Sequence, residues 1–187
     1  INLIRHMLGV AAQILPMSEQ PTDLLGLAPC GTPIIGETSI DAWPAVPNKL
    51  WLEPAVSATP EAVEALLQAD LILLGPGSFL TSLLPPLLVP ELAQAIRDSQ
   101  ARFVFLANLA PEPGPVGRLS LVEQLAWIGR LIGRRVDDVL AAQDAAEQSL
   151  PCHRADLAEA NCRWRHDREK LLRALEQLLM PQPVAIQ

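Results

Sequence analysis

Short apolar runs alternate with stretches of helical periodicity from residue 50 onward, and this alternation limits the fold more than any other feature of the chain. Apolar runs that are bounded by polar or glycine residues are typical of buried strands in a parallel sheet. The predicted order is a helix from Thr59, a strand at 71–74, a helix at 90–98, a strand at 102–107, a helix at 121–132, a strand at 136–141 and a helix after Asp167. The sequence therefore predicts an α/β fold with an open, mostly parallel sheet and right-handed crossovers.

Several helix ends carry local signals. Thr59 precedes Pro60 and an acidic first turn, which predicts an N-cap hydroxyl. Ser120 and Glu123 have the spacing of a capping box, and Gly133 predicts the end of the helix that they begin. The predicted buried faces are Val63, Leu66 and Leu67 on the first helix and Leu171, Leu172, Leu175, Leu178 and Leu179 on the last.

Residues 11–54 have a different pattern, in which short apolar segments are separated by turn-forming residues. We predict a strand at 12–15 and a β-hairpin within residues 16–40 that protrudes from the main sheet, with Gly31 in its turn. We expect a single domain over residues 1–187. The chain begins with Ile1 and with what resembles the end of an amphipathic helix, so we also expect a fragment of a longer protein.

The strand at 71–74 leads into a Gly-Pro-Gly-Ser loop and then into hydroxyl residues. Such a loop can place backbone N–H groups against a phosphate or carboxylate at a helix N-terminus. The candidate ligand-binding residues are Gly75, Pro76, Gly77, Ser78, Thr81 and Ser82. The loop matches neither a Walker loop nor the dinucleotide fingerprint. A tight connection without a ligand is the alternative.

Asn108 follows the next predicted strand, and it is the second candidate binding residue. Because ligands of open parallel sheets collect at the carboxyl ends of the strands, the loops after residues 74 and 107 are expected to face the same crevice. The Asn108 side chain can bind a polar ligand there, or it can cap a turn.

Arg165 and His166 form a third candidate, immediately before the helix that Asp167 is predicted to cap. Arginine offers phosphate a planar pair of donors, and histidine adds another donor. A structural junction without a ligand is the alternative. Asp137 and Asp138 are predicted to lie in a solvated turn, and Trp51, Trp127 and Trp164 to be core or interface aromatics.

The net charge of −7 argues against a nucleic-acid surface, which needs clustered lysine and arginine. Cys30, Cys152 and Cys162 match neither a zinc site nor a disulfide framework, which favours a reduced, cytoplasmic compartment. No signal peptide or membrane-length apolar run is evident, so no membrane is expected. Ser78 lacks the motif of a serine hydrolase, and we assign neither a catalytic residue nor a metal site.

The residues quoted so far resemble a known family. Residues 69–82 together with 87–90 are similar to the core motif of the YvcK-like gluconeogenesis factors, which belong to the CofD-like superfamily. Further similar segments are 2–5, 15–18 with Pro21 and Leu24, Gly36–Glu37 with Ile40, Asn108 with Pro113–Gly114, and Arg165–His166–Asp167. The resemblance covers nearly the whole chain.

The resemblance implies a Rossmann-like three-layer αβα fold, a cytoplasmic location and the binding of nucleotide-linked ligands of the UDP-sugar class. It also implies a regulatory role in central carbon metabolism and cell shape, without an established reaction. One alternative is a metal-dependent transferase that moves a phospholactyl group from a nucleotide-activated donor. Another is a structural module that binds a protein partner, or a second copy as a homodimer, through the hairpin.

The family also opens with a Gly-Gly-Gly loop and an Asp-Asn-Gly-Gly segment, and residues 1–187 contain neither. The chain is therefore expected to be the C-terminal portion of a CofD-like domain that lacks half of the nucleotide cleft. No cofactor is expected from this portion alone. A divalent metal is expected through the N-terminal part.

Overall fold

The computed structural model describes residues 11–145 and 152–180. Its N-terminal part is an antiparallel sheet of β1 (Asp23–Leu27), β2 (Pro33–Ile35) and β3 (Lys49–Glu53), in the order β2-β1-β3. A short helix, α1 (Glu37–Asp41), follows β2. The hairpin of β1 and β2 is present as predicted, and Gly31 lies in its turn with a φ of 85°.

The inner face of this sheet packs against the rest of the protein. Leu24, Ile34 and Leu50 are buried in the same apolar cluster as Phe79. The predicted strand at 12–15 is wrong, because these residues form no regular secondary structure. Residues 12–14 are exposed, and Ile14 is 57% exposed, so the segment gains little from packing against the sheet.

Helices and strands alternate beyond residue 59, as predicted. They are α2 (Pro60–Gln68), β4 (Leu71–Leu74), a π-helical turn (Phe79–Leu83), α3 (Leu84–Leu87), α4 (Pro90–Asp98), β5 (Arg102–Leu106), a 3₁₀ turn (Val116–Arg118), α5 (Leu121–Ile132), β6 (Asp138–Ala142) and β7 (His153–Ala155). The strands form a parallel sheet in the order β4-β5-β6-β7. The predicted α/β class is therefore confirmed.

The C-terminal part adds a small antiparallel pair, β8 (Ala158–Glu159) and β9 (Cys162–His166), and a final helix, α6 (Arg168–Leu179). Asp167 caps α6 as predicted, since its carboxylate accepts hydrogen bonds from the N–H groups of Glu169 and Lys170. The strand β7 was not predicted, because the sequence His-Arg-Ala has no apolar run.

Strand β5 separates two apolar clusters and shows why the fold has three layers. Its side chains alternate, so that Phe103 and Phe105 belong to one cluster and Val104 and Leu106 to the other. The first cluster contains buried side chains of α4 and α5, namely Leu92, Ile96, Ile128 and Ile132. The second contains Ala174 and Leu178 of α6. Helices thus cover both faces of the sheet, as the Rossmann-like prediction requires.

The predicted apolar helix faces are partly wrong. Leu67 of α2 is 48% exposed, and Leu172 and Leu179 of α6 are 57% and 42% exposed. The buried side chains of α6 are Ala174 and Leu178, which are four residues apart and lie on one helical stripe. Leu172 and Leu179 lie seven residues apart on a neighbouring stripe that faces away from the sheet.

Two polar predictions also need correction. The Thr59 hydroxyl does not cap α2 but donates to the carbonyl of Pro16 at 2.8 Å. Asp137 is exposed in a bend, as predicted, but Asp138 does not lie in a solvated turn. The Asp137 carboxylate accepts from the N–H of Phe103 at 2.7 Å, and Asp138 begins β6 and pairs with Arg102 at 2.6 Å.

Within residues 11–145 and 152–180, no single helix has the length and apolarity needed to cross a membrane. The helical segments Phe79–Leu87 and Pro90–Asp98 reach that length and apolarity only when taken together, and they are bent by 77° relative to each other. Their apolar side chains, such as Phe79, Leu84 and Leu92, belong to the buried core.

Candidate functional site

The loops that follow β4 and β5 meet at the carboxyl ends of these strands. The Asn108 side chain donates from Nδ2 to the carbonyl of Gly77 at 2.9 Å, and its Oδ1 accepts from the N–H of Gly77 at 3.3 Å. One amide side chain therefore binds both backbone groups of the same glycine. The sequence predicted that the two loops share a crevice, and the structure brings them into direct contact.

Glycine is required at position 75 because the loop passes very close to the end of β5. The φ of Gly75 is 105°, and a Cβ atom there would lie 2.5 Å from the carbonyl oxygen of Leu106. Gly77 is also tightly packed, with a Cβ position 3.1 Å from Leu83. The peptide bond between Gly75 and Pro76 is cis. The first glycine therefore fixes where the loop lies on the sheet.

The backbone N–H of Phe79, just after this loop, donates hydrogen bonds to the Glu112 carboxylate. The N–H of Phe79, at the start of the π-helical turn, donates to both carboxylate oxygens of Glu112 at 3.1 Å. Asn108 donates to the same carboxylate at 2.8 Å. A backbone donor next to the loop therefore contacts a carboxylate of the chain itself, and the binding of a ligand by the loop stays a prediction.

A second carboxylate, that of Asp41 at the end of α1, accepts hydrogen bonds from the loop hydroxyls of Ser78 and Thr81. Thr81 Oγ1 lies 3.0 Å from Asp41 Oδ2 and 2.8 Å from Ser78 Oγ, and Ser78 Oγ lies 3.4 Å from Asp41 Oδ1. Thr81 is buried, whereas Ser82 and Pro76 are exposed. The hydroxyls of Ser78 and Thr81 thus form one network with Asp41.

Sequence reasoning missed both Asp41 and Glu112. Glu112 could have been found, because it lies in the same loop as Asn108 and is separated from it by four positions. Asp41 carries no local signal, since its partners Ser78 and Thr81 are about forty positions away in the chain. Gly114 allows its loop to pass close to the backbone of Asp41, because a Cβ atom at position 114 would lie 2.3 Å from the Asp41 carbonyl oxygen.

Two neighbouring cavities lie along the carboxyl ends of β5, β6 and β7. One, of about 390 Å³, is lined by Asn108 and Glu112 on one side and by Gln124 of α5 on another. The second, of about 730 Å³, extends to Trp164 of β9 and Lys170 of α6. Both are lined by residues 109–111, Ala142 and Asp144, so they flank the same loop.

Arg165 and His166 lie on β9 and line neither of these cavities. The Arg165 guanidinium lies 3.8 Å from a Glu159 oxygen and 5.3 Å from the centre of the Trp164 ring. The Nε2 atom of His166 is buried without a hydrogen-bond partner among the described residues, and burial lowers the pKa of this imidazole. The structure does not bring this pair to the loop after β4, and its ligand role stays a prediction.

A family model described as "2-phospho-L-lactate transferase CofD" matches residues 1–183. The protein named "Putative gluconeogenesis factor" from Vibrio cholerae is 51% identical over 96% of this chain and 62% of its own length. The protein of the same name from Pasteurella multocida is 42% identical over 96% of this chain and 60% of its own length.

The fold of the chain is also similar to that of a solved structure. The crystal structure of a UPF0052 family member from Bacillus halodurans matches with a TM-score of 0.72 and 32% identity, over 79% of this chain and 49% of that chain. The present chain therefore spans less than two thirds of the length of the relatives that it matches.

Proposed function

The chain belongs to the family of the 2-phospho-L-lactate transferase CofD, and on that premise we propose that it binds a nucleotide-linked sugar of the UDP-sugar class. The binding place is at the carboxyl ends of β4 and β5, where Gly77 contacts Asn108. In this proposal the bound ligand regulates central carbon metabolism and cell shape in the cytoplasm. The name "Putative gluconeogenesis factor" of two relatives supports the metabolic part of the proposal.

The observation that carries the proposal is the hydrogen bonding of Glu112. Its carboxylate accepts from the N–H of Phe79 and from Asn108, which shows that these donors are arranged around an anion. A ligand phosphate has the same need for converging donors. Phosphate binding in this place requires Glu112 to leave the Phe79 N–H, because two anions repel each other in a partly buried site.

A divalent metal would remove part of this repulsion. Magnesium binds one or two protein carboxylates together with substrate phosphates, and Asp41 and Glu112 supply such carboxylates next to the loop. The described residues contain no group of three or more His, Cys, Asp or Glu that could hold a metal without the ligand. These residues fit a metal that arrives with the phosphate, and its two positive charges would offset part of the negative charge of the phosphate and both carboxylates.

Calorimetric titration of the full-length protein with UDP-glucose, with and without magnesium, tests the proposal. We expect saturable heat with a dissociation constant below the millimolar range. Replacing the loop hydroxyl in Ser78→Ala should weaken binding roughly 10- to 100-fold, since a hydrogen bond to a charged group contributes about 1.5–3 kcal/mol. The matched control is Ser57→Ala, because Ser57 is exposed and lies before α2, outside both cavities. No heat at millimolar UDP-glucose would contradict the proposal.

The second candidate is a metal-dependent transferase that uses a nucleotide-activated donor. It is favoured by the two carboxylates beside the loop and by the description of the matching family model. Incubating the full-length protein with a nucleotide-activated phospholactyl donor, a deazaflavin acceptor and magnesium should then give a transferred product. The absence of product at concentrations that saturate binding would leave ligand binding as the function.

A further inference from the structure

We propose that the cavity beside β9 receives the planar ring of the nucleotide, and that the indole of Trp164 stacks on that ring. This inference rests on the proposed function and extends it from the phosphate to the base. Trp164 is 67% exposed, whereas Trp43, Trp51 and Trp127 are all partly buried. A large aromatic side chain that is exposed on the wall of a cavity offers a stacking surface for any base.

The position of this cavity fits a ligand whose phosphate lies at the loop after β4. Ligands of open parallel sheets lie across the carboxyl ends of the strands. The ends of β4 and β7 are separated by three inter-strand spacings, or about 14 Å. Residues 109–111 line both the cavity that contains Asn108 and the cavity that contains Trp164. An extended ligand can therefore pass from one to the other around this single loop.

The charges around the Trp164 cavity disfavour a phosphate and suit an uncharged ring. The cations that line it are Arg163 and Lys170, and the carboxylates are Asp144, Asp156 and Glu159. Lys170 is 2.7 Å from Asp156 and Arg163 is 3.4 Å from Asp144. Each cation that lines the cavity already has an acidic partner, and Glu159 lies 3.8 Å from Arg165. A phosphate would therefore have to compete with these carboxylates for the cations, whereas an uncharged ring would not.

Small side chains leave room beside the indole. The cavity is lined by five alanines, which are Ala110, Ala142, Ala155, Ala158 and Ala160. Arg165 lies 5.3 Å from the centre of the Trp164 ring and close to Glu159, and Arg165 itself does not line the cavity. Such a cation limits the orientations that the indole adopts. In this inference Arg165 is a positioning residue for Trp164.

The test compares UDP-glucose with inorganic pyrophosphate, which has no base, on the full-length protein. We expect Trp164→Ala to weaken UDP-glucose binding roughly 10- to 100-fold, the loss of one base–aromatic stack. Pyrophosphate binding should not change, and Trp164→Phe should retain most of the affinity for UDP-glucose. The matched control is Trp51→Ala, because Trp51 also lies beside a cation, Lys49 at 5.8 Å, but lines neither the Trp164 cavity nor the Asn108 cavity.

Each outcome decides the inference. Unchanged UDP-glucose affinity in Trp164→Ala would overturn it while leaving the proposed function intact. Equal losses for UDP-glucose and pyrophosphate would show a structural role for Trp164 and would also overturn it. A change in oligomeric mass without a change in affinity would identify a protein contact instead. A wild-type protein that binds neither compound would overturn both the inference and the proposed function.

Discussion

At the scale of single residues, Glu112 is the group on which the account depends most. Its carboxylate lies where a ligand phosphate is proposed to bind, and it is held by the N–H of Phe79 and by Asn108. The same contacts order the loop in the absence of ligand. Glu112 therefore stabilises the arrangement of the donors and also competes for them.

Glu112→Gln should strengthen the binding of UDP-glucose in the absence of magnesium. Glutamine keeps an oxygen that can accept from Phe79 but removes the negative charge that repels phosphate. We expect the dissociation constant to fall several-fold in a calorimetric titration at low ionic strength. The control is Glu64→Gln on the exposed face of α2, which should leave the constant unchanged. Weaker binding in Glu112→Gln would contradict the competition.

Gly75→Ala should destabilise the protein more than Gly31→Ala. Both glycines have a positive φ, which costs an alanine about 1–2 kcal/mol. A Cβ at Gly75 would in addition lie 2.5 Å from the Leu106 carbonyl oxygen, whereas a Cβ at Gly31 would have no neighbour within 4 Å. Denaturant unfolding of the full-length protein measures both losses of stability. Equal losses would show that the proximity of Gly75 to the Leu106 carbonyl does not affect stability.

At the scale of elements, the N-terminal ends of the central strands are joined by an ion-pair network. Arg102 of β5 donates to Asp138 of β6 at 2.6 Å and to the carbonyl of Leu178 in α6 at 2.6 Å. His153 of β7 lies 3.1 Å from the other oxygen of Asp138. These contacts tie three strands to the last helix, at the end of the sheet opposite the candidate site.

Asp138→Asn should lower the free energy of unfolding by about 2 kcal/mol near neutral pH, because hydrogen bonds to a charged group are lost. The Arg102 guanidinium, and then His153, hold the pKa of Asp138 below its usual value of 3.8. The stabilisation is therefore fully present above about pH 5 and is lost as the pH falls through the lower folded-state pKa. Denaturant unfolding from pH 7 to pH 3 should show the two proteins converging in acid.

A difference between the two proteins that stayed constant across this range would contradict the assignment to an ionised Asp138. Asp70→Asn serves as the control, since Asp70 is exposed at the residue before β4. It should change stability by less than about 0.5 kcal/mol.

The elements that could be predicted are those with strong local signals. The capping box of Ser120 and Glu123 and the left-handed Gly133 at the end of α5 are both present as predicted. The strand β7 could not be predicted, since its three polar or small residues become a strand only by pairing with β6. The role of Thr59 could not be predicted from its neighbours either, because its hydroxyl donates to the distant Pro16 carbonyl and does not cap α2.

At the scale of the whole molecule, the candidate site is assembled from distant parts of the chain. Gly77 and Asn108 were both predicted, because their loops follow adjacent parallel strands. Asp41 and Glu112 were missed, since nothing near them in sequence indicates which donors they meet. The sequence thus indicated the donor side chains Ser78, Thr81 and Asn108, but neither the Phe79 N–H nor the two carboxylates, and ligand binding by these residues stays a prediction.

The β1–β2 hairpin is the element through which a structural module would bind a partner. The inner side chains of the N-terminal sheet, including Leu24 and Ile34, are part of the main core. Deleting the hairpin would therefore expose that core and would not isolate a partner surface. Ile35, which is 65% exposed on β2, is the better position for testing partner binding by substitution.

The central claim is that the Phe79 N–H exchanges Glu112 for a ligand phosphate, and selective ¹⁵N-phenylalanine labelling of the full-length protein tests it most directly by NMR. Residues 1–187 contain three phenylalanines, and Phe103 and Phe105, which are buried in β5, serve as internal references once Phe103→Leu and Phe105→Leu variants have assigned their resonances. Saturating UDP-glucose should shift the Phe79 amide resonance, which Glu112→Gln identifies, and should leave the other two nearly unchanged. A Phe79 resonance that does not move while UDP-glucose binds would contradict the account.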